Sequence, residues 1–147
     1  MRVTCLASSG SSLPVSCLDD AAGITRETEF PLTIGAVYVV YAITTFRGHC
    51  WYYIFDDNRQ PYPVWRLAPL FEISDPLLPP DWVVGYVRNG HDDEGFPLIS
   101  FPEWARDHYF YERLVDGDAS TVAVFEARRA SAEHRVPRPD ERPHHGG

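Results

Sequence analysis

Residues 32–46, LTIGAVYVVYAITTF, and residues 50–55, CWYYIF, constrain this chain more than anything else in it. β-Branched and aromatic side chains crowd both segments, and such residues fit a pleated, half-buried surface better than a helix. The RGH between them reads as a turn, so residues 36–55 predict a β-hairpin. Gly35 interrupts the first segment, as a bulge or tight turn before a long strand would. Ahead of the hairpin, Val3, Cys5 and Ala7 alternate with Arg2 and Thr4, the period of a short opening strand. Residues 8–31 are rich in Ser, Gly, Pro and acids, and form an unusually long connection for a compact domain. A helical turn near residues 19–23 is compatible with their composition.

After the hairpin, DDNRQP predicts a turn, because Asp and Asn tolerate left-handed backbone and bond to their own neighbours. YPVW is a short strand whose Pro63 has no amide hydrogen, which places it at an edge or bulge. PLFEIS and WVVGYV read as further strands, DPLLPPD as a proline-stiffened loop and RNGHDDEG as a turn. The period changes at SFPEWARDHYFYERLVDG, residues 100–117. Ser100 and Glu103 have the spacing of a capping box, and Pro102 suits a first helical turn. Trp104, His108, Tyr111 and Val115 then share a helix face. Asp107 can cap a second segment, so one helix and two short helices are both open. DASTVAVFEARRASAEH predicts another helix, although TVAVF is equally strand-like. RVPRPDERPHHGG is a Pro-rich polar tail of the disordered kind.

The expected class is therefore mainly β with C-terminal helices. A β unit over 1–100 carries the 8–31 excursion. A helical appendage over 101–134 packs on it, and residues 135–147 trail off. The length of 147 residues fits one domain, and 44% apolar with 14% aromatic residues suffices for a core.

The order MRVTCL, LTIGAVYVVYAI, WYYIFDDN, YPVWRLAPLFE resembles small phage and bacterial proteins with an SH3-like barrel. Their pattern runs M-x-V-x-C, then LT-x-G-x-x-Y-x-V, then YYI-x-D, then LFE. The correspondence covers residues 1–7 and 32–73, and the chain departs from it over 8–31 and after Asp75. The resemblance implies a small SH3-like β-barrel followed by one or two α-helices. The acidic, helix-tailed form is also similar, in kind and without a motif, to immunity proteins of bacterial toxin systems.

All thirteen basic residues are arginine. The absence of lysine excludes Schiff-base chemistry, a phosphate-loop lysine and a Ser-Lys pair. Cys5, Cys17 and Cys50 are odd in number and lack C-x-x-C spacing, so neither a zinc knuckle nor a disulfide framework is indicated. A Cys5–Cys17 bridge would need an oxidising compartment. MRVTCLASSG lacks a signal-peptide apolar run, and AVYVVYAI is far too short for a membrane span. Cytoplasmic residence, with no membrane and no cofactor, is the expectation.

Net charge is −8, of which residues 75–118 alone carry −7. Such a field repels phosphate backbones and attracts basic partners. Within it, His91, Asp92, Asp93 and Glu94 form the densest group of metal-capable side chains. Their NG…G setting reads as a solvated turn, and no metal is expected. Asp56 and Asp57 are adjacent carboxylates that could hold Mg²⁺ or act as acid and base, but neighbours on a strand diverge and the turn reading is preferred. His49 and Cys50 diverge for the same reason, and His144 and His145 lie in the tail. On the central strand Trp51, Tyr53 and Phe55 share one face, and Tyr52 and Ile54 the other. One face fills a barrel, and the other is free to become a recognition patch.

These residues predict a non-enzymatic protein-binding domain, with an immunity-type or phage accessory protein as the sharper form. A basic protein partner would meet Asp81, Trp82, Tyr86, Asp92, Asp93 and Glu94, with Trp51, Tyr53, Tyr62 and Trp65 as aromatic anchors. The alternatives are a metal-dependent hydrolase on Asp56, Asp57, His91 and Asp92, and a single-stranded nucleic-acid binder on Arg47, Trp51 and Tyr53. The net charge opposes the last.

Overall fold

The computed structural model describes residues 1–88 and 95–134. The HDDE group at 91–94 and the tail from 135 lie outside the described residues. The strands, in chain order, are β1 (Arg2–Cys5), β2 (Val37–Val39), β3 (Ala42–Phe46), β4 (His49–Ile54), β5 (Val64–Leu67), β6 (Phe71–Asp75), β7 (Val83–Val87) and β8 (Phe96–Ser100). The helices are α1 (Pro102–Ala105), α2 (Phe110–Val115) and α3 (Ala119–Glu133). The protein is thus mainly β with C-terminal helices. All strand pairs are antiparallel, in a three-stranded sheet β2-β1-β6 and a five-stranded sheet β5-β4-β3-β8-β7. Neither sheet closes on itself. Among the described residues no helix is long and apolar enough to cross a membrane.

The hairpin forms as its sequence demands. Arg47 and Gly48 both have positive φ, 52° and 78°, which is the two-residue turn whose twist suits antiparallel strands. The long strand expected over 36–46 is instead two. Val40 and Tyr41 are consecutive and both buried, at 1% and 4% exposure, so the side-chain alternation breaks there. The chain leaves the small sheet at Val39 and enters the large one at Ala42. Val40 N–H donates to the Met1 carbonyl and Tyr41 N–H to the Tyr53 carbonyl, so each sheet holds one side of the step.

The five-stranded sheet is covered on both faces. On one side Tyr52, Ile54 and Leu67 pack with Val3, Cys5 and Phe71 of the small sheet and with Leu13 and Cys17 of the excursion. On the other, Tyr53, Phe96 and Leu98 meet Phe101, Trp104, Phe110 and Phe125 of the helical region. Such aromatic packing combines large buried area with edge-to-face contacts. Tyr53 meets Trp104 at 4.9 Å and Tyr111 at 5.2 Å, both edge-on. The helices come unusually close at Gly85: a Cβ there would lie 1.6 Å from the Ala105 carbonyl oxygen. β7 accordingly needs glycine where α1 crosses it.

Several local expectations change. β8 carries no clear strand signal in the sequence, because FPLIS is short and holds a proline. Pro97 N has no hydrogen to give, but its carbonyl accepts from Thr44 Oγ1 at 2.7 Å. The capping box does not form: Ser100 Oγ donates to the Tyr41 carbonyl at 2.6 Å, inside the sheet, and Glu103 turns to Arg128. The helical segment divides into two, and Asp107 Oδ1 accepts from Tyr109 N–H at 3.0 Å where the second begins. Of the four residues expected on one face, Trp104 is buried and stacks 5.7 Å from half-buried Tyr111, whereas His108 and Val115 are exposed. TVAVF is helical, begun by Asp118, whose carboxylate accepts from Thr121 N–H at 3.1 Å. Pro63 directly precedes β5, an edge strand as expected.

Candidate functional site

Among the described residues the 8–31 excursion, which with the end of the large sheet encloses a cavity, has little regular structure. Short 3₁₀ turns at Gly10–Ser12, Val15–Cys17 and Asp20–Ala22 give it shape. Asp19 caps the last, as its carboxylate accepts from Ala21 N–H at 3.1 Å. Buried Leu13 and Cys17 anchor it to the core, and Phe30 N–H returns to the Ser8 carbonyl at 2.7 Å. Between its second half and the β3–β4–β5 end of the large sheet lies a cavity of about 610 Å³. That is the size of a small-molecule site.

Half-buried rings wall the cavity. Trp51 stacks on Trp65 at 4.6 Å, Phe46 lies 5.3 Å from Trp65, and Phe30 faces them from the excursion. The polar lining is specific. Cys17 Sγ lies 3.5 Å from His49 Nδ1, a thiol–imidazole hydrogen bond. Arg47 Nη1 donates to Asp19 Oδ2 at 3.1 Å across the mouth. Arg66 also reaches the lining, with its Nη2 held by Asp56. His49 and Cys50 do diverge, as expected, but the histidine finds a thiol 32 residues upstream. Nothing in the spacing of Cys17 signals this: it sits in a Ser-rich stretch without motif. All three cysteines are free thiols, so no Cys5–Cys17 bridge forms. Cys5 Sγ donates instead to the Ala7 carbonyl, and burial pushes both the Cys5 and Cys50 thiols up.

Asp56 and Asp57 are structural. The Asp56 side chain is fully buried; Oδ1 accepts from Asn58 N–H at 3.0 Å and Oδ2 from Arg66 Nη2 at 2.6 Å. Asp57 accepts from Tyr38 OH at 2.8 Å and Thr33 Oγ1 at 2.7 Å. Turn closure and tethering of residues 31–38 account for both carboxylates, which leaves the hydrolase reading without two of its intended ligands. Among the described residues no three His, Cys, Asp or Glu side chains converge as a metal site.

The expected partner-binding residues among those described do not form one surface. Tyr53 is 6% exposed beneath the helices and belongs to the core, where burial raises its hydroxyl pKa. Trp51 and Trp65 open on the cavity, and half-buried Tyr62 lies edge-on to Tyr111 at 6.3 Å. The nucleic-acid reading loses Tyr53 as a stacking platform, and its Arg47 is already paired with Asp19. Asp81 is not a free steering charge, because Arg128 of α3 bridges it to Glu103, at 2.8 Å for the latter. That guanidinium holds the Glu103 carboxyl below its ordinary range. Trp82 is half-buried and touches both cores. Tyr86 and Val84 are 55% and 70% exposed on edge strand β7. No family model, curated protein or solved structure matches this chain.

Proposed function

We propose that this protein is a non-enzymatic protein-binding domain whose acidic face engages a basic protein. The carrying observation is the pair Val84 and Tyr86, exposed at alternate positions of an edge strand. Beside them Pro97 is exposed and Ile99 half-buried on β8. An apolar stripe on an unpaired edge is the kind of surface that proteins leave open for a partner. The connection from β7 to β8 carries Asp92, Asp93 and Glu94, so the strand is followed in sequence by the most acidic part of the chain. Carboxylates there would steer a basic partner onto Tyr86, the aromatic anchor.

The β-rich part is read here as an SH3-like small barrel, opened by the 8–31 excursion. Support comes from β1 pairing with β6, from one continuous segment supplying both β2 and β3, and from the 3₁₀ turn at Ala68–Leu70 that introduces β6. An immunity-type or phage accessory role in a reducing cytoplasm is consistent with three free thiols and the acidic field.

The test starts from a basic protein retrieved with the wild-type chain as bait. Reversal of Asp92, Asp93 and Glu94 to Arg should weaken its binding about tenfold or more and flatten the salt dependence. Tyr86→Ala should weaken it about tenfold through faster dissociation. Affinity indifferent to salt and to all four substitutions sinks the proposal.

A further inference from the structure

We propose that the cavity under the excursion is a site for planar conjugated carbonyl compounds, and that Cys17 adds covalently to them with His49 as its proton carrier. This site is separate from the β7 edge and does not depend on what binds there. Three features of the cavity converge on it. Its volume of about 610 Å³ suits a small molecule. Its walls are ring faces: the Trp51–Trp65 stack, at an interplanar angle of 26°, and Phe46 and Phe30 near it. Ring faces of this kind favour a flat, conjugated ligand over a bulky aliphatic one. The third feature is the only thiol of the lining, 3.5 Å from an imidazole nitrogen.

Aromatic walls alone would define a non-covalent pocket. The Cys17–His49 contact adds reactivity, because a thiol becomes a nucleophile when an adjacent base accepts its proton. The Cys17 residue is only 5% exposed, so bulk reagents are disfavoured and a ligand that fits the cavity has the advantage. Cys5 and Cys50 serve as internal controls. Neither lines the cavity.

The reaction is complete without a further reagent. His49 Nδ1 takes the proton from Cys17 Sγ. The thiolate sulfur forms a bond to the β-carbon of the unsaturated carbonyl compound. The carbon–carbon π pair moves to the α-carbon, which takes the proton back from His49. One S–C bond and one C–H bond form, one S–H bond and one C=C π bond break, and no leaving group or oxidant is involved. Arg47, whose side chain is 66% exposed and which has nitrogens beyond the one on Asp19, supplies a donor at the same mouth for the carbonyl oxygen.

The probe pair is cinnamaldehyde, flat and aromatic, and acrylamide, small and without a ring. Adduct formation at each cysteine is followed on the intact folded chain by quenching, proteolysis and mass spectrometry. Cys17 should react with cinnamaldehyde faster than Cys5 or Cys50, and this preference should exceed the one seen with acrylamide by about tenfold. His49→Asn should slow the Cys17 reaction about tenfold and leave Cys5 unchanged. Cinnamyl alcohol, of the same shape but without an electrophilic carbon, should protect Cys17 from iodoacetamide in the wild-type chain and leave Cys50 unprotected. This last arm needs no variant and holds even if His49→Asn unfolds. The proposal is overturned if Cys17 shows equal selectivity for the two probes, if cinnamyl alcohol gives no protection, or if a folded His49→Asn variant reacts at the wild-type rate.

Discussion

The two faces of the five-stranded sheet are both covered, but they are covered differently. On the helical side, rings meet rings: Trp104 alone lies within 4.9–6.5 Å of Tyr53, Phe101, Phe110, Tyr111 and Phe125. On the other side a three-stranded sheet and an irregular excursion share the work, and where the excursion wraps the β5 end of the sheet a cavity of about 610 Å³ remains, walled by Trp51, Trp65 and Phe46 from the sheet face that also carries Tyr53. Helices with apolar stripes can close over a sheet at near-crystalline density, whereas short 3₁₀ turns cannot follow its twist. The helical layer therefore supplies stability, and the excursion supplies a place where polar and reactive groups can face a void. A buried ion pair, Asp56–Arg66, belongs to the second side as well.

The sharpest way to break this contrast is on the helical side. Trp104→Ala, at a residue 1% exposed, should cost about 3–5 kcal/mol in urea unfolding. A loss below about 1 kcal/mol would mean that the aromatic layer can collapse around the void and is not the chief support. Next comes Asp56→Asn, which strands the Arg66 guanidinium. It should cost about 3 kcal/mol by the same measurement, since removing one member of a buried pair leaves an uncompensated charge. Equal stability of wild type and variant would show that the excursion side tolerates a lone charge and is wetter than described. Leu13→Ala tests how far the excursion itself contributes. Its side chain is buried within the small-sheet core, and about 2 kcal/mol is expected if the excursion is docked. A frayed excursion would show no change.

Near neutrality the smallest effect is that of pH. Burial pushes the Tyr41 and Tyr111 hydroxyls up to about 12 and raises Tyr53 as well, all on the helical side. A folded value above the unfolded 10 means that the unfolded chain releases its protons first. The stabilising contribution is thus intact below about pH 10 and is lost as pH rises through about 12. Phenolate absorbance and melting temperature should change together in that window. Ionisation of these tyrosines with the melting temperature unchanged would show them to be solvated.

Much of this arrangement was legible in the residues. β-Branched and aromatic density marked the hairpin, and Asp-Asp-Asn marked the turn after it, because both rest on local chemistry. The helical character of residues 100–117 was legible from its period, whereas its division into two and the helical state of TVAVF were not. What escaped was set by contacts distant in sequence. Ser100 reads as a helix cap, yet the Tyr41 carbonyl, 59 residues away, claims its hydroxyl. Val40 and Tyr41 look like the middle of one strand, and only the presence of two sheets divides it. Tyr53 could have been surface or core by alternation alone; the helices decide. Most plainly, the sequence sets His49 beside Cys50, whereas the thiol it meets comes from an excursion with no readable period.

β1 has a consequence for synthesis. It is the central strand of its sheet, with Arg2 beside Val39 on one side and Asp75 on the other. It precedes every other described strand in the chain, yet its second neighbour is not translated until some seventy residues later. Meanwhile the β3–β4 hairpin, with a two-residue turn, can close as soon as it emerges. β1 therefore stays half-paired during synthesis until β6 arrives to lock it, and the small sheet is a late-closing seam.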